Sequence, residues 1–180
     1  MRKVKMYIAA SLDGKIATPD GDIKWLEDIP NPNKLDYEYA NFLTTIDTTL
    51  MGNLSYQKIM SFGIEFPYPD TTNFVFTRQE NLAATEDVIF QSGDLISFVK
   101  DLKTKPGKDI WLIGGAQINS LLFQAKLVDE VWLFVMPIVI GTGIPLFAEM
   151  QVEQSMKLME SNAYPTGVVL LKYGLGKIKK

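Results

Sequence analysis

The sequence predicts an α/β domain with a mixed sheet that is mainly parallel and has an antiparallel C-terminal edge. Apolar runs of strand length alternate with segments of helical periodicity as far as about residue 127. This alternation implies crossover connections, which join parallel strands and put helices on both faces of the sheet. After the run 131–140, two more β-type runs, 156–161 and 167–173, follow without a helix and are expected to pair antiparallel. With 180 residues, 47% of them hydrophobic, residues 1–180 are expected to form one domain.

The first half of the chain begins with a strand, a polar loop and a helix. Residues 3–10 have the strand pattern, and Ser11-Leu-Asp-Gly14 has the composition of a turn. The segment 36–46 has apolar side chains at helical intervals and predicts a helix. The next strand, 48–51, ends at Gly52, and a short helix containing Leu54, Ile59 and Met60 follows it.

The rest of the chain continues the alternation and then breaks it. The β-type runs 72–76, 88–90 and 110–113 enclose one predicted helix at 95–102. The turn residues Tyr164-Pro-Thr-Gly167 separate the last two β runs and predict a closing hairpin. A further helix is predicted from the spacing of Ile118, Leu121, Leu122 and Leu127.

Composition and charge exclude several classes of protein. A formal charge of -3 and a pI near 5.0 give no basic surface of the kind that nucleic-acid phosphates require. No run of about 18 uncharged apolar residues occurs, so no membrane span is expected. We therefore expect a cytoplasmic protein that binds neither nucleic acid nor membrane.

The chain contains neither cysteine nor histidine. Their absence removes disulfides, thiolate nucleophiles, zinc–thiolate sites and the commonest general base. Serine–histidine hydrolysis, cysteine–histidine chemistry and zinc deamination are excluded in their usual forms, and no metal site is expected. Hydride transfer is attractive under these limits, because a bound cofactor supplies the chemistry.

Two glycines stand where a buried strand meets a helix. The apolar run 110–113 stops at Gly114-Gly115. Glycine lets the backbone bend sharply and lets a ligand approach, while the following helix presents unpaired N–H groups and a positive dipole end. An anion such as a pyrophosphate fits there, and a tight turn between two packed elements is the alternative. The fingerprint G-x-G-x-x-G is missing after the first strand, which disfavours an ordinary Rossmann dehydrogenase.

Four short motifs lie in order at predicted strand ends: Ile8-Ala-Ala-Ser-Leu-Asp-Gly-Lys-Ile-Ala17, Met51-Gly52, Asn73-Phe-Val-Phe-Thr-Arg78 and Ile113-Gly-Gly-Ala116. Their order resembles the dihydrofolate reductase-like superfamily, in the branch of the RibD C-terminal domain, the reductase of riboflavin biosynthesis. The late segment Gly141-Thr-Gly-Ile-Pro-Leu-Phe147 is similar to a Pro…Gly-x-Gly…Phe segment of that branch. The resemblance covers nearly the whole chain and implies a three-layer α/β/α fold that binds NADPH.

The resemblance also implies which residues bind the NADPH. The Gly114-Gly115 bond is expected to be cis and to face the cofactor diphosphate, and Ile16 and Ala17 match the loop that holds the nicotinamide. The residues carried over to this chain are Ala10, Ile16, Ala17, Gly52, Asn53, Ser55, Thr77, Arg78, Ser92, Gly114, Gly115, Ala116, Gln117 and Ile118.

Three of these cofactor residues have alternative interpretations. Asn53 replaces the arginine of the family's Met-Gly-Arg-x-Thr motif, which weakens the case for NADPH over NADH. Arg78, after Thr77, matches a Ser-Arg pair of the family, and a planar guanidinium suits a 2′-phosphate. A solvated charge at a strand end is the other interpretation of Arg78. Ser55 is either a phosphate contact or the cap of a helix.

The substrate residues that the resemblance implies are Ala9, Asp13, Trp25 and Asp36. Asp36 precedes Gly52 by sixteen residues (52 − 36), as does the buried acid with which dihydrofolate reductases bind and protonate the pterin, so it is the catalytic candidate. Its alternative is a helix cap. Asp13 belongs either to the substrate rim or to a turn, and Trp25 either to a lid over the pocket or to the core.

The resemblance implies a reductase that passes hydride from NADPH to a C=N bond of a small pterin or pyrimidine-type substrate. The Asp36 spacing favours dihydrofolate, whereas Ser11-Leu-Asp-Gly14 and the late glycine segment favour the phosphoribosylamino-pyrimidine of riboflavin synthesis. A different class is a non-catalytic nucleotide-binding sensor or assembly module, in which Asn53 marks a lost activity. The run 131–140 is either the surface of a homodimer or a strand buried inside the sheet.

Overall fold

A computed structural model describes residues 1–80 and 82–175 of the chain. Its strands are β1 (Val4–Ser11), β2 (Lys15–Ala17), β3 (Ile46–Gly52), β4 (Thr72–Phe76), β5 (Ile89–Gln91), β6 (Asp109–Gly114), β7 (Glu130–Met136), β8 (Ile144–Pro145), β9 (Met156–Ala163) and β10 (Val169–Leu175). Its helices are α1 (Tyr39–Thr44), α2 (Asn53–Met60), α3 (Leu95–Thr104) and α4 (Ala116–Gln124), with a 3-10 turn at Lys24–Leu26.

Eight of the strands form one mixed sheet in the order β5-β4-β3-β6-β1-β7-β10-β9. All neighbours from β5 to β7 are parallel, and β10 pairs antiparallel with both β7 and β9. The predicted mixed sheet with an antiparallel C-terminal edge is therefore confirmed. Leu50, Ile110 and Leu112 in the parallel part are fully buried, as expected for strands covered on both faces.

Helices cover both faces of this sheet, which confirms the three-layer α/β/α arrangement. Successive residues of β6 point to opposite faces, so Leu112 packs in the core beneath α3 and α4, whereas Trp111 packs with Phe42 of α1. Helix α2 lies on the same face of the sheet as α1, and its Ile59 packs against a cluster of buried side chains that includes Met51.

The predicted helix 36–46 is wrong at both ends, since α1 spans only Tyr39–Thr44. Tyr37 and Glu38 have φ values of 52° and 66°, which are incompatible with a right-handed helix. At the other end Ile46 already belongs to β3, where it lies opposite Asp109 of β6. Pairing with the sheet thus takes priority over the helical spacing of the apolar side chains.

The long strand expected at 131–140 ends at Met136. Pro137 has no N–H with which to continue the ladder, and the Ile138 N–H donates to the Met136 carbonyl instead (2.8 Å). The two short strands β2 and β8 were not predicted, because each has too few residues for a periodic signal. They pair antiparallel with one another beside the main sheet.

Candidate functional site

The carboxyl ends of the parallel strands lie along one edge of the sheet, where open α/β sheets bind their ligands. From β5 to β7 these ends are Gln91, Phe76, Gly52, Gly114, Ser11 and Met136. The sheet order therefore brings the predicted cofactor residues to a single edge, although they come from five separate stretches of the chain. Ser92 and Arg78 lie at one end of this edge, the two glycine junctions lie in the middle, and Ala10 lies beyond them.

Two helices begin side by side at the middle of this edge. Gly52 precedes α2, Gly115 precedes α4, and their strands β3 and β6 are neighbours. Neither helix has a side-chain cap or an acidic residue in its first turn. By contrast, Asp94 caps α3 and accepts from the N–H groups of Ile96 and Ser97. The first-turn amides of α2 and α4, with the positive ends of both helix dipoles, are thus arranged to bind an anion.

The backbones of the two junctions are close together. A Cβ on Gly52 would lie 3.8 Å from the Gly114 carbonyl oxygen, and a Cβ on Gly115 would lie 3.4 Å from Ser55 Oγ. The Gly114-Gly115 peptide is cis, as expected from the resemblance. Interpreting Ser55 as the helix cap is wrong, because Gly52 occupies the cap position and the Ser55 hydroxyl stands beside the second junction.

Asn119 is a buried polar residue of α4 that sequence reasoning missed. Its side chain is fully buried, and Nδ2 donates to the Leu146 carbonyl (3.0 Å). Oδ1 has no hydrogen-bond partner among the described residues and would lie 3.2 Å from a Cβ on Gly114. Gly114 therefore needs to be glycine for two reasons. Its φ of +116° is unfavourable for residues with a Cβ, and a Cβ there would crowd the Asn119 side chain. The signal in the sequence was weak: an amide between Ile118 and Leu122, on the apolar side of a helix that carries two other amides.

Arg78 follows β4, so it lies where the row of strand carboxyl ends terminates at β4 and β5. The preceding Thr77 is held by its N–H, which donates to the Gln91 carbonyl (3.1 Å), and the Gln91 side chain donates to the Ser92 carbonyl (2.8 Å). Arg78 itself is exposed, and it makes no ion pair within the part of the chain that the structure describes. Its guanidinium can therefore meet a phosphate without first losing a partner.

At the other end of this row, Asp13 joins the loop after β1 to the loop after β7. Its Oδ1 accepts from Ser11 Oγ (2.6 Å) and from the Ile140 N–H (3.0 Å), while Oδ2 accepts from the Gly141 N–H (2.8 Å). These hydrogen bonds, that of Ser11 first, lower the pKa of Asp13 from 3.8 to about 2. The structure thus favours the interpretation of Asp13 as a turn residue. In addition to its own turn, its carboxylate binds the loop after β7.

A cavity of about 220 Å³ opens on the α1 face of β1 and β7. Tyr7 Oη donates to the Tyr37 carbonyl (2.9 Å), and burial raises the pKa of Tyr7. Of its lining, only Ala9 was predicted, although the alternation of Tyr7 with Ala9 on β1 and of Phe134 with Met136 on β7 marks one face. The lining residues, none of them charged, are Tyr7, Ala9, Leu26, Tyr37, Phe134, Met136 and Val168.

Asp36 is exposed, not buried as the comparison with dihydrofolate reductases led us to expect. Its carboxylate accepts from the backbone N–H groups of Glu38 (3.1 Å) and Ala40 (3.2 Å) at the start of α1. Glu38 stands at the cap position of α1 and makes no side-chain cap bond, and Asp36 instead satisfies the first-turn N–H of Ala40 from two residues earlier. The structure therefore favours a capping role for Asp36 over the catalytic one. The reason is local, because the left-handed turn at residues 37 and 38 brings the N–H groups of Glu38 and Ala40 back towards the carboxylate.

Trp25 lies in the 3-10 turn and is buried in the core cluster on the α1 face. Its Nε1 is buried without a partner among the described residues. Trp25 does not line the cavity, but the adjacent Leu26 does. The core interpretation of Trp25 is therefore favoured over the lid.

A second concave region lies away from the predicted residues. A shallow depression of about 510 Å³ at the opposite edge, near Arg2 and Gly107, contains none of the predicted residues.

No helix in residues 1–80 and 82–175 is long and apolar enough to cross a membrane. Over the same residues, no group of three or more acidic side chains is gathered as a metal site would require.

Comparison with known proteins agrees with this geometry. The family model of the RibD C-terminal domain matches residues 2–170. The Bacillus subtilis (strain 168) protein named "Uncharacterized protein YwjB" is 36% identical over 169 residues, which cover 94% of this chain and 96% of that protein. A crystal structure of a putative riboflavin biosynthesis protein from Shewanella sp. PV-4 superposes with a TM-score of 0.88 at 27% identity, covering 97% of this chain and 99% of that one.

A more distant structure has the same fold. Dihydrofolate reductase from Enterococcus faecalis, solved in complex with NADP(H), gives a TM-score of 0.67 at 16% identity and covers 97% of both chains. The fold is thus that of the dihydrofolate reductase-like proteins, and the chain belongs to the RibD C-terminal domain family.

Proposed function

We propose that this protein is an NADPH-dependent reductase that transfers hydride to a C=N bond of a pterin or pyrimidine-type ring. The observation that carries the proposal is the pair of uncapped helix starts at Gly52 and Gly115, beside an uncharged cavity at the same edge of the sheet. Further support comes from the Enterococcus faecalis relative in fold, which was solved with NADP(H).

The residues present fit a dinucleotide. The first-turn amides of α4, from Ala116 to Ile118, and those of α2, from Asn53 to Ser55, would hold the diphosphate, with Ser55 Oγ beside them. The exposed guanidinium of Arg78 would pair with the 2′-phosphate. When bound, NADPH supplies the hydride. The remaining residues proposed for the cofactor are Thr77 and Ser92 towards the adenosine, and Ala10, Ile16 and Ala17 towards the nicotinamide.

The substrate ring would occupy the cavity on the α1 face of β1 and β7. The volume of about 220 Å³ is below the usual range for whole ligands, about 300–1,000 Å³, so a ring fits there and larger substituents extend outside. Tyr7 and Ala9 would form its floor, and Tyr37 its wall. Because the lining residues carry no charge, a phosphoribosyl group would have to find its partners outside the cavity.

The proposal is tested by measuring cofactor binding and turnover together. Purified protein is titrated with NADPH and with NADH, and NADPH oxidation is then followed with dihydrofolate and with the phosphoribosylamino-pyrimidine in parallel. We expect tighter binding of NADPH than of NADH, and turnover with one of the two ring systems. Tight NADPH binding without oxidation by any pterin or pyrimidine would instead support a nucleotide-binding sensor. Failure to bind either nucleotide would contradict both functions.

A further inference from the structure

The loop after β1 and the loop after β7 are held together by a single carboxylate. We propose that Asp13 is a positioning residue which clasps these two loops and thereby fixes β2, the short strand that carries Ile16 and Ala17. The inference rests on the proposed function, in which Ile16 and Ala17 contact the nicotinamide ring. It replaces the expected role of Asp13 as a substrate contact.

Both oxygens of the Asp13 carboxylate take part in this clasp. One oxygen accepts from the Ile140 N–H and from the Ser11 hydroxyl, and the other accepts from the Gly141 N–H. A carboxylate that accepts from two consecutive backbone amides fixes the path of the second loop, because both N–H groups must point at it. The Ser11 hydroxyl also accepts from the Lys15 N–H (2.9 Å), which joins the clasp to the first residue of β2.

Backbone contacts continue the clasp on both sides of Asp13. The Leu12 N–H donates to the Ile138 carbonyl (2.7 Å), and the Leu146 N–H donates to the Gly14 carbonyl (2.9 Å). Between them β2 pairs with β8, where Ala17 lies opposite Ile144. The position of β2 therefore depends on the second loop as well as on β1.

Gly143 shows how closely the two segments pack. A Cβ at this position would overlap the Ala17 carbonyl oxygen, so the backbones are in direct contact. A small movement of the second loop would therefore be transmitted to Ala17 without an intervening side chain. Through this contact, the loop that Asp13 holds touches Ala17, one of the two residues proposed to contact the nicotinamide.

A second hydroxyl–aspartate turn in the same region provides a matched control. Thr18 Oγ1 donates to Asp20, as Ser11 Oγ donates to Asp13, and both aspartates are exposed with a lowered pKa. The contacts of the Asp20 turn stay local, with Thr18 bonded to Asp22. Asp20→Asn therefore removes the same charge from a similar turn without touching the second loop.

The test compares Asp13→Asn with Asp20→Asn by hydrogen exchange and by nucleotide binding. In Asp13→Asn the amide NH₂ must oppose one of the two backbone N–H donors, so the clasp is broken with little change of shape. We expect faster exchange at the amides of Ile140, Gly141 and Leu146. We also expect NADPH binding to weaken about tenfold, whereas binding of adenosine 2′,5′-bisphosphate, which lacks the nicotinamide, stays unchanged. Asp20→Asn should alter none of these quantities.

Two results would overturn the inference. Unchanged exchange at these three amides would show that Asp13 does not hold the second loop. Equal weakening of NADPH and of adenosine 2′,5′-bisphosphate would show that the loss is not confined to the nicotinamide end. If the wild-type protein binds neither nucleotide, the proposed function fails, and the exchange measurement still decides whether Asp13 fixes the loop.

Discussion

At the scale of single residues, Asp36 separates two accounts of the site. A catalytic acid must reach the substrate, but the Asp36 carboxylate is exposed and bonded to the N–H groups of Glu38 and Ala40. We therefore expect Asp36→Ala to lower the free energy of unfolding by about 1 kcal/mol, the usual cost of losing a cap, and to leave kcat nearly unchanged. Urea unfolding and steady-state kinetics measure the two quantities.

A matched variant for this experiment is Asp94→Ala, which removes the cap of α3 and should have a similar effect on stability. A fall in kcat of about a hundredfold or more in Asp36→Ala, with NADPH binding retained, would restore Asp36 as the acid.

We expect Arg78 to determine the preference between NADPH and NADH. Its exposed guanidinium has no ion-pair partner among the described residues and would gain one from the 2′-phosphate of NADPH, which NADH lacks. We expect Arg78→Ala to weaken NADPH binding at least about tenfold and to leave NADH binding nearly unchanged, as measured by titration. The exposed neighbour provides the control variant, Gln79→Ala. Equal weakening of both nucleotides would eliminate this role.

At the scale of elements, the clasp between the two loops predicts a dependence on pH. Because the pKa of Asp13 is lowered to about 2 from 3.8, its carboxylate stabilises the folded state above pH 4 and loses that effect as the pH falls through about 2. The difference in free energy of unfolding between wild type and Asp13→Asn should therefore be constant near neutral pH and shrink between pH 4 and pH 2. Urea unfolding across this range measures the difference, and a difference that is as large at pH 2 as at neutral pH would contradict the assignment.

The elements also show what the sequence could predict. The parallel strands were identified because their apolar runs are bounded by glycine or polar residues, and the glycine junctions after β3 and β6 were identified because they interrupt such runs. The start of α1 could not be predicted, since it depends on left-handed backbone at Tyr37 and Glu38, which propensity does not favour. The pairing of β2 with β8 depends on residues 127 or more positions apart and has no local signal.

The same distinction applies to the site. The residues proposed for the cofactor follow predicted parallel strands, so their positions along the chain predict that they lie at one edge of the sheet. The cavity depends on tertiary packing, and only Ala9 of its lining was foreseen, because the remaining side chains resemble ordinary core. Asn119 was missed for the same reason, since one buried amide in an apolar helix has no distinctive spacing.

At the scale of the whole molecule, we propose that residues 1–180 form one domain. Two of the three clusters of buried side chains share a neighbour, because Ile113 packs against the cluster of Phe42 and also against that of Val75. The third cluster, around Leu112, lies on the opposite face of the same sheet. We therefore expect one cooperative unfolding transition, with the same midpoint by far-ultraviolet circular dichroism and by tryptophan fluorescence. Two separated transitions would contradict a single domain.

The most direct test of the central claim is a titration with NADPH followed by amide chemical shifts in a nuclear magnetic resonance spectrum. The account predicts that the largest shifts occur in the first turns of α2 and α4, from Asn53 to Ser55 and from Ala116 to Ile118, while the amides of β9 at the far edge of the sheet stay unchanged. Shifts that spare both helix starts, or that are largest in β9, would contradict it.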